Sequence, residues 1–301
     1  MEQPKRSQIL IVVIVGIVGV SLAAIWVRLA VAAVVPSNKV GFSLFLAAAR
    51  MILSAVILLP TWRNFQLDRC KSRAYYLALA AGLCLGIHFA TWITSLSYTS
   101  IAASTVLVTT NPIWVGLISW WWYKEKLSPS KVIAIGVALL GGIIMAVADN
   151  TQAGNYSNRL VGDLLALLGA VMSSLYIIFG SQAQRRGLST ANYIAISYSA
   201  AALCLLPLPF FGNSGYLGYS SEVYLCVLSM AITSQVIGHT SLNWAVRWLS
   251  PTLISLSLLF EPVVASLLGA ILFNEVPSIG LLVGGVTILL GIGVFLGSKQ
   301  V

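Results

Sequence analysis

The chain has 301 residues, of which 58% are hydrophobic and 8% charged, and its formal net charge is +9. Soluble domains carry roughly a quarter charged residues, so this composition excludes a water-soluble protein. The positive charge sits in short loops between apolar runs, which argues for a membrane surface and against nucleic acid as a partner.

A helix needs about 20 apolar residues to cross a bilayer. Runs of that length recur in chain order at 8–35, 41–60, 74–98, 101–122, 129–148, 160–180, 190–210, 222–244, 251–273 and 277–297. Lipid offers no partner to backbone N–H and C=O groups, so runs this continuous must be helical. The expected fold is therefore all-α and integral to the membrane, with ten transmembrane helices. That count depends on a break between the third and fourth runs, where only "SYTS" at 97–100 interrupts the apolar sequence. The first run is too long for the apolar core of a signal peptide and is expected to remain as a helix.

With the N-terminus in the cytoplasm, thirteen of the 17 Lys and Arg residues fall on the inner side. Lys39 and Arg159 fall outside, and Arg28 and Arg50 lie within spans. This bias places both termini in the cytoplasm of a multi-pass protein, with a bacterial inner membrane as the expected location. Cys84, Cys204 and Cys226 lie in or at spans and Cys70 lies in a basic inner loop, so no pair suggests a disulfide, a metal site or a cofactor. Asn155-Tyr-Ser fits a glycosylation sequon on an outer loop.

Two stretches share an outline. "TTNPIWVGLISWWWYKEKLS" at 109–128 and "LFEPVVASLLGAILFNEVPS" at 259–278 superpose on a shift of 150 residues, which pairs Pro112 with Pro262, Glu125 with Glu275 and Gly141 with Gly291. The chain thus divides into a first repeat at 1–150 and a second at 151–301, each of five helices. Five is odd, so the copies enter the membrane from opposite sides. Secondary carriers use such inverted repeats to build two similar end states around a site near the midplane.

The ordering "LSYTSIAASTVLVTTNPIWVGLISWWWYKEKLS" resembles the EamA-type repeat of the drug/metabolite transporter superfamily. So does "LSPTLISLSLLFEPVVASLLGAILFNEVPS", and "LAAARMILSAVILLP" at 46–60 resembles that family's second helix with its arginine. The resemblance covers essentially the whole chain. It implies a transporter of ten helices in two repeats, in a family that exports amino acids or carries diverse metabolites.

Ionisable side chains at membrane depth are costly and tend to face an internal cavity. Arg50, His88, His239 and Glu261 occupy such positions. The two histidines fall at nearly matching places in the repeats, and either join helices by hydrogen bonds or line the path, where titration near neutral pH suits proton exchange. Gln235, His239 and Asn243 recur every four residues and share one helix face, while His88, Thr91, Trp92 and Ser95 form a stripe on the third helix. Trp26, Trp92, Tyr176, Tyr198 and Trp244 are candidate aromatic walls.

Glu261 precedes Pro262 in the middle of the ninth span, where a proline should free the carbonyl of Leu258 and kink the helix. Its carboxyl either couples protons or is held by a neighbour such as Arg50. Arg50 either pairs with Glu261 or meets a substrate carboxylate. The residue before the proline is where the repeats differ, Asn111 in one and Glu261 in the other. Glu125 and Glu275 suit the turns between helices, beside Ser128 and Pro129 as cap and first helical residue. Glycines of the fifth and tenth helices permit close approach, within the chain or in a homodimer.

These residues describe an alternating-access transporter, with the expectation of an exporter of amino acids or similar neutral or zwitterionic compounds. A sugar-phosphate carrier should show several cations at midplane, and only Arg50 is there. The candidate pathway comprises His88, Trp92, Asn111, Tyr176, Gln235, His239, Asn243, Glu261 and Arg50, with proton coupling assigned to Glu261 or His239. A multidrug-type exporter of lipophilic compounds and a channel or scramblase are the alternatives. The sequence lacks the Asp-rich pairs of prenyltransferases and the Gly-x-Gly-Asp of intramembrane aspartyl proteases, which argues against an enzyme.

Overall fold

A computed structural model describes residues 4–34, 38–65, 72–99, 104, 107–124, 128–149, 158–273 and 279–297. The described residues are helical apart from turns and short connections. We number the helices α1 (Arg6–Ala33), α2 (Lys39–Ile57), α3 (Ser72–Ser95), α4 (Asn111–Tyr123), α5 (Pro129–Asp149), α6 (Arg159–Arg185), α7 (Thr190–Leu205), α8 (Ser221–Ala245), α9 (Pro251–Leu258), α10 (Glu261–Phe273) and α11 (Ile279–Gly297). Among the described residues seven helical stretches are long and apolar enough to cross a membrane, and the shorter apolar helices Pro129–Ile144 and Leu282–Gly297 accompany them. The protein is a multi-pass integral membrane protein.

Local chemistry sets the helix ends. Asn38 caps α2 by accepting from Gly41 N at 3.0 Å, Ser189 caps α7 through Asn192 N at 3.1 Å, and Ser250 caps α9 through Leu253 N at 3.2 Å. A side-chain oxygen at each start takes a backbone N–H that the helix itself cannot pair. Lys124 closes α4 in the left-handed conformation, with φ of 58°. The weak break in the sequence is a real one: α3 ends at Ser95 and turns through Thr99, whose hydroxyl donates to Asp163 Oδ1 on α6 at 2.7 Å. Glu125, Glu275 and the turns that hold them lie outside the described residues, as does the Asn155 sequon.

Contacts between helices come in matched pairs. α3 packs along α6 while α8 packs along α1, and α4 rests on α6 while α10 rests on α1. The helix at the start of each half therefore supports the helices α3 and α4, or α8 and α10, of the other, and polar residues of α2, α6, α7 and α8 meet between them. Large aliphatic side chains such as Ile133, Leu140, Leu282 and Leu290 are exposed on the outside, where lipid replaces water.

α5 and α11 lie against each other at glycine contacts. A Cβ on Gly141 would stand 2.6 Å from the carbonyl oxygen of Gly284, and one on Gly291 would stand 2.7 Å from Ala138 N. These glycines serve contact inside one chain. α1 and α8 cross as closely, since a Cβ on Gly19 would stand 2.7 Å from Gly238 Cα. Overpacking such a contact costs about 1–3 kcal/mol. Gly141→Ala should therefore lower the thermal midpoint of the detergent-purified protein, whereas Gly136→Ala, with nothing within 4 Å of the added carbon, should leave it unchanged.

Candidate functional site

The proline at 262 does more than kink a helix. The chain turns at Leu259 and Phe260 and starts a new helix at Glu261, so Pro262 stands second in α10, just as Pro112 stands second in α4 after the turn at Thr109 and Thr110. Proline fits a first helical turn because the N–H it lacks has no intrahelical partner there. Tight turns satisfy the interrupted backbone: Phe260 N donates to Ser257 O at 3.1 Å and Ile113 N to Thr110 O at 2.9 Å. Both α4 and α10 have 13 residues, about 20 Å of helix, against a hydrocarbon core of about 30 Å. Two helix N-termini, the positive ends of their dipoles, thus lie at membrane depth.

The first residues of these helices have different surroundings. Asn111 is buried, and its backbone oxygen accepts from Ser174 Oγ at 3.3 Å. In the amide orientation that satisfies every neighbour, its nitrogen donates to Ala170 O at 3.0 Å and Val108 O at 2.8 Å while its oxygen accepts from Ser173 Oγ at 3.3 Å. Asn111 is therefore fastened to α6. Glu261 is half-buried, and its backbone oxygen accepts from Ser21 Oγ at 3.2 Å. Its carboxylate makes no hydrogen bond and no ion pair within 4.0 Å among the described residues. The 150-residue shift explains the contrast, because it maps Ser173 and Ser174 onto Ala23 and Ala24 of α1.

The third component is α8, whose middle turns from Ala231 to His239 are wound as a π-helix. Thr240 N–H reaches back five residues to the carbonyl of Gln235, and the side chains of Thr240 and Tyr198 approach that same carbonyl at 3.4 Å. The wider turn keeps residues four apart near one face, so Gln235, His239 and Asn243 all point inward. Gln235 is fully buried and its Oε1 accepts from Arg50 Nη2 at 2.9 Å. The Arg50 guanidinium also lies 4.1 Å from the centre of the Phe89 ring. Arg50 thus pairs with Gln235 and not with Glu261, although Glu261 is near enough to act on it through space.

Phe89 also touches His239, edge to face with ring centres 5.6 Å apart. His239 in turn meets the Tyr176 ring at 6.4 Å and makes no hydrogen bond among the described residues. Tyr176 donates to Asn243 Oδ1 at 2.8 Å, Asn243 Nδ2 donates to Tyr198 Oη at 3.1 Å, and the Asn243 carbonyl accepts from Gln184 Nε2 at 2.6 Å. A cavity of about 20 Å³ lies among these groups, lined by Ser173, Tyr176, His239, Asn243, Ile254 and Leu258 with three further apolar side chains. It sits between α6, α8 and α9, toward the end of the bundle that carries Arg6. It has room for a water molecule or so and not for a metabolite.

The stripe on α3 is placed differently. His88 Nδ1 is 2.9 Å from Gly169 O, the imidazole stacks on Trp92 at 5.8 Å, and both side chains pack on α6. Thr91 and Ser95 bond back to their own helix, and Ser95 also meets Ser104 Oγ at 2.7 Å. Trp26 ties α1 to α8 through Nε1 donating to Thr233 Oγ1 at 3.0 Å, and Trp244 packs on Trp248. Arg28 stands over the Phe273 ring at 4.3 Å. Of the residues singled out in the sequence, the structure therefore gathers Arg50, Gln235, His239, Asn243, Tyr176 and Tyr198 in one polar centre, with Glu261 beside Arg50. Asn111, His88 and Trp92 serve contacts with α6.

Sequence comparison fits this arrangement. The EamA-like transporter family matches residues 8–147 and again residues 160–297. The chain belongs to the EamA-like transporter family. An uncharacterized transporter of Clostridium kluyveri is 26% identical to this EamA-like protein over 246 residues, 80% of this chain and 79% of the relative. An uncharacterized transporter of Archaeoglobus fulgidus is 28% identical over 65% of this chain and 67% of its own length. A solved crystal structure superposes with a TM-score of 0.75 over 96% of both chains at 19% identity, which shows a shared fold. The protein is a membrane transporter, as its family and relatives are.

Three features of the polar centre of this EamA-like transporter escape a reading of the sequence. Phe89 looks like core packing in a list of apolar residues, yet it joins Arg50 to His239. Gln184 is an ordinary polar residue near a helix end, and only the fold sets it against the Asn243 carbonyl. The π-helix has no marker beyond the polar residues it carries. Asn243 holds two buried tyrosine hydroxyls at once, so Asn243→Leu strands that of Tyr176, at about 1–3 kcal/mol for the unpaired group, and takes from Tyr198 one partner while leaving it the Gln235 carbonyl and the Thr240 hydroxyl. It should lower the thermal midpoint clearly more than Tyr198→Phe, which removes one partner and strands little.

Proposed function

We propose that this transporter is a ten-span carrier built from inverted repeats at 1–150 and 151–301, working by alternating access to export small neutral or zwitterionic metabolites, amino acids first. Both termini face the cytoplasm of a bacterial inner membrane, following the distribution of Lys and Arg. The family match over both halves and the paired helix contacts support the repeat. One observation carries the mechanism: the polar centre lies beside the break between α9 and α10, and the cavity next to it is too small for a metabolite. A solute cannot pass such a centre unless the bundle rearranges, which is the behaviour of a carrier and not of an open pore.

His239 and Glu261 are the groups proposed to exchange a proton, since neither side chain makes a hydrogen bond among the described residues. Proton uptake from outside would then drive export. A second reading, export of lipophilic compounds, draws on an apolar groove of about 260 Å³ between α1 and α8 that is lined by Ile14, Val18, Leu22 and Ile237 and opens toward lipid. Purified protein in liposomes preloaded with amino acids should show saturable counterflow of the labelled compound, and a lipophilic panel run alongside tests the second reading. Glu261→Gln or His239→Ala should abolish uptake driven by a pH gradient while sparing counterflow. Unsaturable flux would identify a channel, and unchanged pH dependence in both variants would remove the proton assignment.

A further inference from the structure

Arg50 is 1% exposed and Gln235 fully buried, yet both have hydrogen-bonding capacity left unused. Arg50 spends Nη2 on Gln235, while its Nε and Nη1 have no partner among the described residues, and neither does Nε2 of Gln235. Three nitrogen donor groups on two buried side chains that are bonded to each other thus have nothing among the described residues to accept their hydrogens. Buried polar groups in native proteins are nearly always paired, and an exception calls for an explanation. A buried guanidinium is the more costly case, because its charge has also been taken from water.

The nearest acid does not supply the missing acceptor. Glu261 comes from the start of α10 and makes no ion pair with Arg50, and the Arg50 face is covered by the Phe89 ring. The groups around the guanidinium from the packed elements are Gln235 on α8, Phe89 and His88 on α3, Tyr198 on α7 and Glu261 on α10. None of them gives it an acceptor beyond Gln235 Oε1. Phe89 meanwhile contacts His239, which lines the cavity. The Phe89 and His239 rings thus connect the guanidinium to the space a substrate would enter.

We propose that Arg50 and Gln235 form the subsite for the carboxylate of the transported solute. This rests on the carrier reading above and names the chemical class of its cargo: a compound bearing a free carboxylate, with an amino acid as the form whose ammonium group also suits the adjacent Glu261. A carboxylate has two acceptor oxygens, one for an Arg50 N–H and one for Gln235 Nε2, and charge-assisted bonds of this kind are the strong ones. Phe89 must move for the carboxylate to arrive, so the subsite fills only when the bundle rearranges. Binding and conformational change are coupled through that ring.

The test uses the purified full-length protein with free alanine, leucine and phenylalanine, each beside its own amide. At least one free amino acid should raise the thermal midpoint, and its amide should not. Gln235→Glu places a carboxylate of the chain's own beside Arg50. It should fold with a midpoint no lower than that of the parent and lose the ligand-induced shift. Gln235→Leu, which removes the donor without supplying an acid, should weaken the shift while preserving specificity for the free acid. An amide as effective as its acid would overturn the assignment, as would a full shift in Gln235→Glu or no shift from any of the three acids. Counterflow separates the two proposals: saturable exchange of a carboxylate-free solute, unaffected by Gln235→Glu, removes the subsite and keeps the carrier. A ligand shift without any counterflow keeps the subsite and removes the carrier.

Discussion

In hydrocarbon a backbone carbonyl or amide has no water to turn to, and each one left unpaired costs several kcal/mol. Every departure from regular helix in this bundle follows from that constraint. The chain interrupts its helices at Thr109–Thr110 and Leu259–Phe260, and in both places tight turns re-pair the freed groups within a few residues. A third interruption, the π-turns of α8, frees the Gln235 carbonyl to be shared by Thr240 and by the Tyr198 hydroxyl. All three stand at the interior, where neighbouring helices can supply hydrogen bonds.

Two stretches of similar outline come to lie in different surroundings. Asn111 and Glu261 begin equivalent helices behind equivalent turns. On one side α6 offers Ser173 and Ser174, and the amide is consumed in fastening α4 to α6. On the other side α1 offers alanines at the corresponding positions, and the carboxylate is left over. A group with nothing to hold is a group that can bind, and the difference lies as much in the two alanines as in the glutamate. The histidines diverge in the same way: His88 is used against the Gly169 carbonyl and Trp92, while His239, at a cavity wall, makes no side-chain hydrogen bond among the described residues.

Most of the fold was legible because lipid removes choices. Runs of about 20 apolar residues must be helical, and each of the paired prolines stands second in a helix that follows a turn. The inward face of α8 was legible too, since Gln235, His239 and Asn243 recur at a helical interval. What was not legible was the choice of partner. Arg50 had two plausible acceptors in the sequence, an acid and a substrate, and the structure gives it an amide from α8. The α3 stripe had the right spacing to face a cavity, and a glycine at 169 let α6 come close enough to take it instead. Spacing fixes which side chains share a face, but only the packing of a second helix decides what that face meets.

The same packing indicates where the bundle can change shape. α5 and α11 are locked by glycine contacts along their length, and a shift of one against the other would drive backbone into backbone. α9 and α10 are joined by a turn, and the middle of α8 has traded regular helix bonds for longer ones to Tyr198 and Thr240. Local opening costs least where backbone bonds are fewest and most replaceable. Those are the stretches that border the cavity and carry Gln235, His239 and Glu261. Because Gly238 lies in the π-turns and touches Gly19, a change in α8 must be felt by α1, and α1 in turn supports α10. The π-turns that carry Gln235 and His239 are therefore joined through α1 to the helix that begins at Glu261.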